Sequence, residues 1–208
     1  MVIAMAGFYS MFFFVTLYMQ NVLGYSQIQA GAAYVPTTFG VALASGIASQ
    51  LFARTGTRPI IIAGALLGAG GVFWLSRIPV HGSYLSDLLP GLLIMSAGLG
   101  AVFVGVTTAA QAGVPPDKAG LAAALINTST WLGGALGIAV FSALSTSRAH
   151  QLLVTHAPVH AALTSGFQRA LLACSIAMLT AAVFAIRATN TRGELSTLPT
   201  LEAVPESA

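Results

Sequence analysis

The chain has 208 residues, of which 56% are hydrophobic and only 6% charged, with a mean hydropathy of +0.86. A water-soluble domain carries roughly 25% charge, and eight basic plus five acidic side chains are too few to build a polar shell around so long a chain. The net charge of +3 is spread as single basic residues between apolar runs. It forms no stripe that could follow a phosphate backbone, so nucleic acid is excluded as a partner and membrane lipid is expected instead.

Taken in chain order, the apolar runs divide at charges, prolines and glycine clusters into six segments long enough to cross a bilayer core of about 30 Å. The fold class expected is all-α transmembrane, a six-helix bundle over 1–188. Its spans are predicted near 2–23, 28–52, 59–76, 86–111, 119–144 and 166–187. The first, MVIAMAGFYSMFFFVTLYMQNVLG, has no basic flank and runs too long for a signal peptide, so it reads as a membrane helix. Its aromatics, Phe8, Tyr9, Phe12, Phe13, Phe14 and Tyr18, are expected mostly to face lipid.

In the second span Pro36 removes a backbone donor inside the helix and predicts a kink. The third is short but uncharged, with Trp74 placed for an interface. Asp87, between Ser86 and Pro90, matches the N-cap of the fourth helix. Pro90 falls in that helix's first turn, where its missing N–H costs little. The segment 145–165 reads as a loop outside the membrane, and the tail 189–208, rich in Thr, Pro, Ser and Glu, as disordered.

Lysines and arginines divide five to one side (Arg54, Arg58, Lys118, Arg187, Arg192) and three to the other (Arg77, Arg148, Arg169). The bias predicts both termini in the cytoplasm of a cell whose plasma membrane the chain crosses. Gly64 with Gly68, and Gly133 with Gly137, each make a GxxxG spacing. In lipid, helices associate where small residues let backbones approach, so these pairs are read as packing seams within one bundle.

No Asp, Glu, Lys or Arg falls near the middle of any span, whereas ion-coupling sites in membranes are normally built on such residues. The polar groups inside are uncharged: Gln20, Asn21, Thr37, Thr38, Thr107, Thr108, Gln111 and Asn127 to Thr130. Each either joins helices or lines a wet cavity. Gln20 and Asn127 suit a cavity because an amide carries donors and acceptors that lipid leaves unpaired. Thr107 and Trp131 complete the predicted lining, and aromatics such as Phe103 and Trp131 suit a lipophilic ligand.

His156 and His160 have metal-compatible spacing but flank Pro158 and lack a third ligand, so no metal is expected. No phosphate loop, nucleophile elbow or carboxylate pair is present, and neither an enzymatic activity nor a cofactor is expected. Cys174 is the only cysteine, which leaves no partner for an intrachain disulfide.

Three stretches then resemble, in the same order, the second bundle of a known transporter family. LYMQNVLGYSQIQAG (17–31) is similar to the junction opening the C-terminal bundle of fourteen-span drug:proton antiporters of the major facilitator superfamily. ARTGTRP (53–59) resembles the superfamily's short cytoplasmic motif through Arg54, Gly56 and Arg58, with Ala53 where that motif carries an Asp. GVPPDKAGLAAALINTSTWLGGALGIAVF (113–141) resembles the passage from the fourth to the fifth helix of that half, except that Thr130 and Trp131 stand where relatives often have a basic or amide pair.

The resemblance implies the C-terminal half of a proton-driven efflux transporter for drugs or other lipophilic small molecules. Its partner would be an N-terminal half, on the same longer chain or a separate one, carrying the coupling carboxylates. Helices one, two, four and five would face the cavity, with three and six outside. The alternative is a non-transporting membrane protein, either a degenerate remnant or a half kept for assembly or regulation.

Overall fold

A computed structural model describes residues 1–111 and 114–186, and within them every regular element is helical. In order these are α1 (Val2–Asn21), α2 (Gln27–Ala32), α3 (Val35–Thr55), α4 (Thr57–Leu75), a π turn at Tyr84–Leu88 that leads into α5 (Leu89–Gln111), a 3-10 turn at Pro116–Lys118, α6 (Ala119–Val154) and α7 (Val159–Ile186). Counting α2 with α3 and the π turn with α5, six helices are long and apolar enough to cross a membrane. The tail assigned to 189–208 lies outside the described residues.

The spans alternate in direction, so the bundle has a terminal end, which carries Val2 and Ile186, and a distal end. α1 packs on α6 and α7, α4 on α5 and α7, and α3 mainly on α5, while α5 and α6 touch only sparingly. Burial follows this order. The apolar window of α1 is 56% buried and that of α2 with α3 only 11%.

α1 therefore corrects one expectation: Phe8, Phe14 and Tyr18 are buried in the core and only Phe13 of that cluster is well exposed. A lipid-facing reading treats aromatics as anchors, but α1 sits between α6 and α7, where large rings fill space.

Close helix approach comes from glycine. A Cβ on Gly64 would stand 2.8 Å from the Ala101 Cβ, one on Gly68 2.8 Å from the Phe8 ring, and one on Gly98 2.6 Å from the Gly68 Cα. The α4–α5 seam is thus backbone against backbone. Gly133 and Gly137 admit the backbones of Val2 and Ala6 between α6 and α1 in the same way. Such contacts accumulate dispersion energy where the hydrophobic effect supplies none.

Two helices outrun their predicted limits. α6 continues to Val154 where 144 was expected, and α7 begins at Val159 where 166 was expected, so most of 145–165 is a helical hairpin. At 1.5 Å per residue α6 is about 54 Å long, well beyond the hydrocarbon core. Gly166 lets α7 approach to where a Cβ would be 2.7 Å from the Ser145 carbonyl, and Arg148 donates to the Ser165 hydroxyl at 3.3 Å.

His156 closes the hairpin at φ 60. Its N–H donates to the Leu153 carbonyl at 3.0 Å and the Ala157 N–H to the Leu152 carbonyl at 3.1 Å. This is the pair of reversed bonds that ends a helix, with His156 in the place glycine usually takes. Having left the helix, His156 no longer shares a face with His160.

Both prolines sit at element starts. Pro36 occupies the first turn of α3, and the expected kink is a break at residues 33 and 34. Pro90 follows the π turn, in which the Leu89 N–H reaches back five residues to the Tyr84 carbonyl. Asp87 is not the N-cap: Ser83 is, and the Asp87 carboxylate accepts the Ser83 N–H at 2.7 Å from one turn inside.

Candidate functional site

An open groove of about 350 Å³ lies between α5 and α6 in the terminal half of the bundle, floored by Tyr9 of α1. It exists because these two helices touch only sparingly while each is held elsewhere, α5 by the glycine seam with α4 and α6 by α1 and α7. Phe103, Thr107 and Gln111 line it from α5, spaced by four residues along one face. Ala123, Ile126, Asn127, Thr130 and Trp131 line it from α6.

Trp131 is the central wall. Its ring lies 5.7 Å from that of Tyr9 at a tilted angle, and its indole N–H donates to the Asn127 side-chain Oδ1 at 3.1 Å. The bond fixes the indole's orientation and leaves the Asn127 amide NH₂ to donate. Trp131 is still 62% exposed, so one aromatic face is open to an occupant. Gly134 is what lets Tyr9 in, since a Cβ there would meet the ring at 3.1 Å.

The threonines offer less than their number suggests. Thr107 donates to the Phe103 carbonyl at 2.7 Å and Thr130 to that of Ile126 at 2.8 Å. Their hydrogens are committed to their own helices, so toward an occupant they act as acceptors. No lining residue carries a formal charge.

Of the predicted cavity residues, Thr107, Asn127 and Trp131 come together here and Gln20 does not. Gln20 lies eleven positions beyond Tyr9 on α1, about 16 Å along the axis toward the distal end. A buried-amide argument cannot tell depth in the membrane, which is why it grouped the two ends. Tyr9, Phe103 and Gln111 were visible as residue types, but nothing in their spacing joined α1 to α5 and α6. The second span contributes nothing to the groove.

Arg54, Gly56 and Arg58 lie at the terminal end, where Gly56 at φ 85 is the single residue joining α3 to α4. A residue with a Cβ is strained in that conformation, so the turn's tightness depends on this glycine. Arg54 is exposed and Arg58 half-buried. The paired glycines 64, 68, 133 and 137 pack within the bundle and take no part in the groove. Among the described residues no cluster of three metal-ligating side chains occurs.

Comparison with known proteins accords with this architecture. A family profile for the Major Facilitator Superfamily matches residues 1–138. The chain is 35% identical over 163 residues to a puromycin resistance protein of Streptomyces alboniger, covering 77% of this chain and 32% of that protein. It is 38% identical over 149 residues to a cephamycin export protein of Amycolatopsis lactamdurans, covering 71% and 30%. A tetracenomycin C resistance and export protein of Streptomyces glaucescens is 30% identical over 149 residues, covering 71% and 27%. The chain thus spans about a third of the length of these relatives.

Proposed function

The chain belongs to the Major Facilitator Superfamily, and from that premise we propose that it is the C-terminal half of a fourteen-span, proton-driven exporter of lipophilic small molecules. It would act in the plasma membrane with both termini cytoplasmic. The observation that carries this reading is the groove between α5 and α6: aromatic, uncharged, and open on one side. One bundle cannot enclose a ligand there. A second bundle facing α5 and α6 would close it, as two halves do when they rock about a midplane site.

In this reading Trp131 and Tyr9 stack on a flat apolar ligand, the Asn127 amide donates to it, and Thr107 and Thr130 accept from it. With the termini cytoplasmic, the groove lies in the cytoplasmic half of the bundle, which suits loading from inside the cell. In this reading proton coupling falls to the other half, because no carboxylate lies near the middle of these spans and embedded titrating groups are the usual basis of coupling. The names of the relatives point to antibiotic-like cargo.

The test is efflux of a lipophilic cationic dye from cells expressing this chain alone, and from cells also expressing a candidate N-terminal half, with membrane insertion verified in both. Efflux only on co-expression is expected. Efflux by the chain alone overturns the claim that one bundle is insufficient. No efflux in either case, with both halves inserted, favours a non-transporting assembly or remnant protein.

A further inference from the structure

The break in the second span has a bonding pattern of its own. Pro36 has no N–H and its ring displaces the carbonyl four residues back, so regular bonding fails across residues 32–36. The Ala33 N–H still reaches the Gln29 carbonyl at 3.0 Å and the Tyr34 N–H that of Gly31 at 3.1 Å. Bonding resumes with the Thr38 N–H on the Tyr34 carbonyl at 3.0 Å.

Two tyrosines fasten this break to its neighbours. The Tyr34 hydroxyl donates to the Phe12 carbonyl at 3.0 Å, beside the Thr16 hydroxyl at 2.9 Å, tying the break to α1. The Tyr84 hydroxyl donates to the Ala33 carbonyl at 2.6 Å from the π turn that opens the fourth span.

Thr37 stands apart among the buried threonines. It is 2% exposed and, like that of Ser10, its hydroxyl has no hydrogen-bond partner among the described residues. Thr16, Thr38, Thr107, Thr108, Thr130 and Thr164 all donate to a carbonyl three or four residues back. For Thr37 the residue four back is Ala33, whose carbonyl holds the Tyr84 hydroxyl. An unpaired buried hydroxyl is unfavourable, and the acceptor that would relieve it lies in its own preceding turn.

We propose that the Ala33 carbonyl is a two-position latch: Tyr84 holds it in this conformation, and Thr37 takes it in a second one, in which α3 has swung about residues 33 and 34 away from the π turn. The exchange swaps one donor for another, so the hinge opens without leaving a bare carbonyl in the membrane. Both states are then close in free energy, as a moving part requires. The gating role of this hinge rests on the transport reading above; its existence does not, and the test reads the hinge alone.

The test is amide hydrogen exchange by mass spectrometry on the full chain in lipid nanodiscs, following residues 33–38, with residues 64–72 of α4 as the internal reference. Tyr84→Phe keeps the ring and removes the donor, and should speed exchange at 33–38 about fivefold, the scale of one hydrogen bond. Adding Thr37→Val should bring exchange back to within about twofold of the unmodified chain, because the open state loses its substitute donor. Thr37→Ser keeps the hydroxyl and should not rescue. A double variant that exchanges as fast as Tyr84→Phe overturns the latch, as does rescue by serine.

If Tyr84→Phe also loosens α4, the single Thr37 variants decide. Thr37→Val alone should slow exchange at 33–38 and Thr37→Ser should not; equal rates refute the proposal. Slowed exchange with no dye efflux from any assembled pump would keep the hinge and discard the transport reading.

Discussion

The two ends of the bundle are held by different means. At the distal end, hydrogen bonds join elements far apart in sequence: Tyr18 donates to the Pro79 carbonyl at 2.6 Å, Gln168 to that of Ile78 at 2.7 Å, and Tyr84 to that of Ala33. The connection between α4 and α5 is strapped down by side chains from α1 and α7. At the terminal end, α5 and α6 touch only sparingly, the polar side chains of the groove bond within their own helices, and an aromatic pocket stands open. The contrast leaves the bundle strapped where its loops meet and open at the other end. Between the two ends runs the glycine seam of α4 and α5, which depends on neither.

The largest effect should come from breaking that seam. Gly98→Leu forces a side chain toward the Gly64 carbonyl and the Gly68 backbone, 2.5 Å and 2.6 Å from where the Cβ alone would sit. Backbone cannot yield as a flexible side chain does, so the loss should reach about 3 kcal/mol or more. In detergent this should appear as loss of the monodisperse species or a melting point lower by about 6–12 °C. An unchanged melt would mean that α4 and α5 are not in backbone contact.

Next in size is the distal strap. Tyr18→Phe leaves the ring in a fully buried position and removes the bond to Pro79, which should cost about 1 kcal/mol. The expected readout is a modest fall in melting point with faster exchange at 76–83 and no change at the groove. Equal loosening of residues 103–111 would erase the distinction between the two ends.

How much of this was legible in the sequence differs between the same two ends. Six spans follow from hydropathy alone, because lipid demands about 20 apolar residues per crossing. The glycine spacing marked the seams, since close backbone approach leaves a local four-residue signature. Hydropathy could not find the last turns of α6 or the first of α7, because Ser145, Arg148 and His150 are polar yet helix-compatible, and the reason they stay helical is packing at Gly166. The tyrosine straps left no sequence trace, as Tyr18 and Pro79 are 61 residues apart. The groove was half visible: Thr107, Asn127 and Trp131 stood out as polar or aromatic groups in apolar runs, whereas their convergence on Tyr9 is a property of tertiary packing.

At the terminal end the expected effect is on binding and not on stability. Trp131→Ala removes a side chain that is 62% exposed, so the melt should move by no more than about 0.5 kcal/mol. Binding of a lipophilic aromatic cation such as ethidium, followed by its own fluorescence, should weaken about tenfold through loss of the stacking face. Asn127→Leu should give a smaller loss, because it frees the indole to rotate without removing it. A Trp131→Ala variant that binds as before would move the ligand site out of the groove.

The smallest effect sharpens the comparison most, because it uses adjacent residues of one helix. On Gly71 a Cβ would stand 2.8 Å from the Met95 Cα and 2.7 Å from the Gly91 carbonyl oxygen, whereas on Gly70 it would meet nothing within 4 Å. Alanine favours a helix over glycine by about 1 kcal/mol, so Gly70→Ala should be neutral or raise stability by up to that amount. Gly71→Ala gains the same backbone term and should still lose stability, because α5 must retreat to admit one methyl group. Opposite signs in paired thermal melts would separate glycine as a packing device from glycine as mere composition. Equal signs would mean that the α4–α5 seam yields to a methyl group as readily as the outer face does, and that its glycines do not hold the two helices in register.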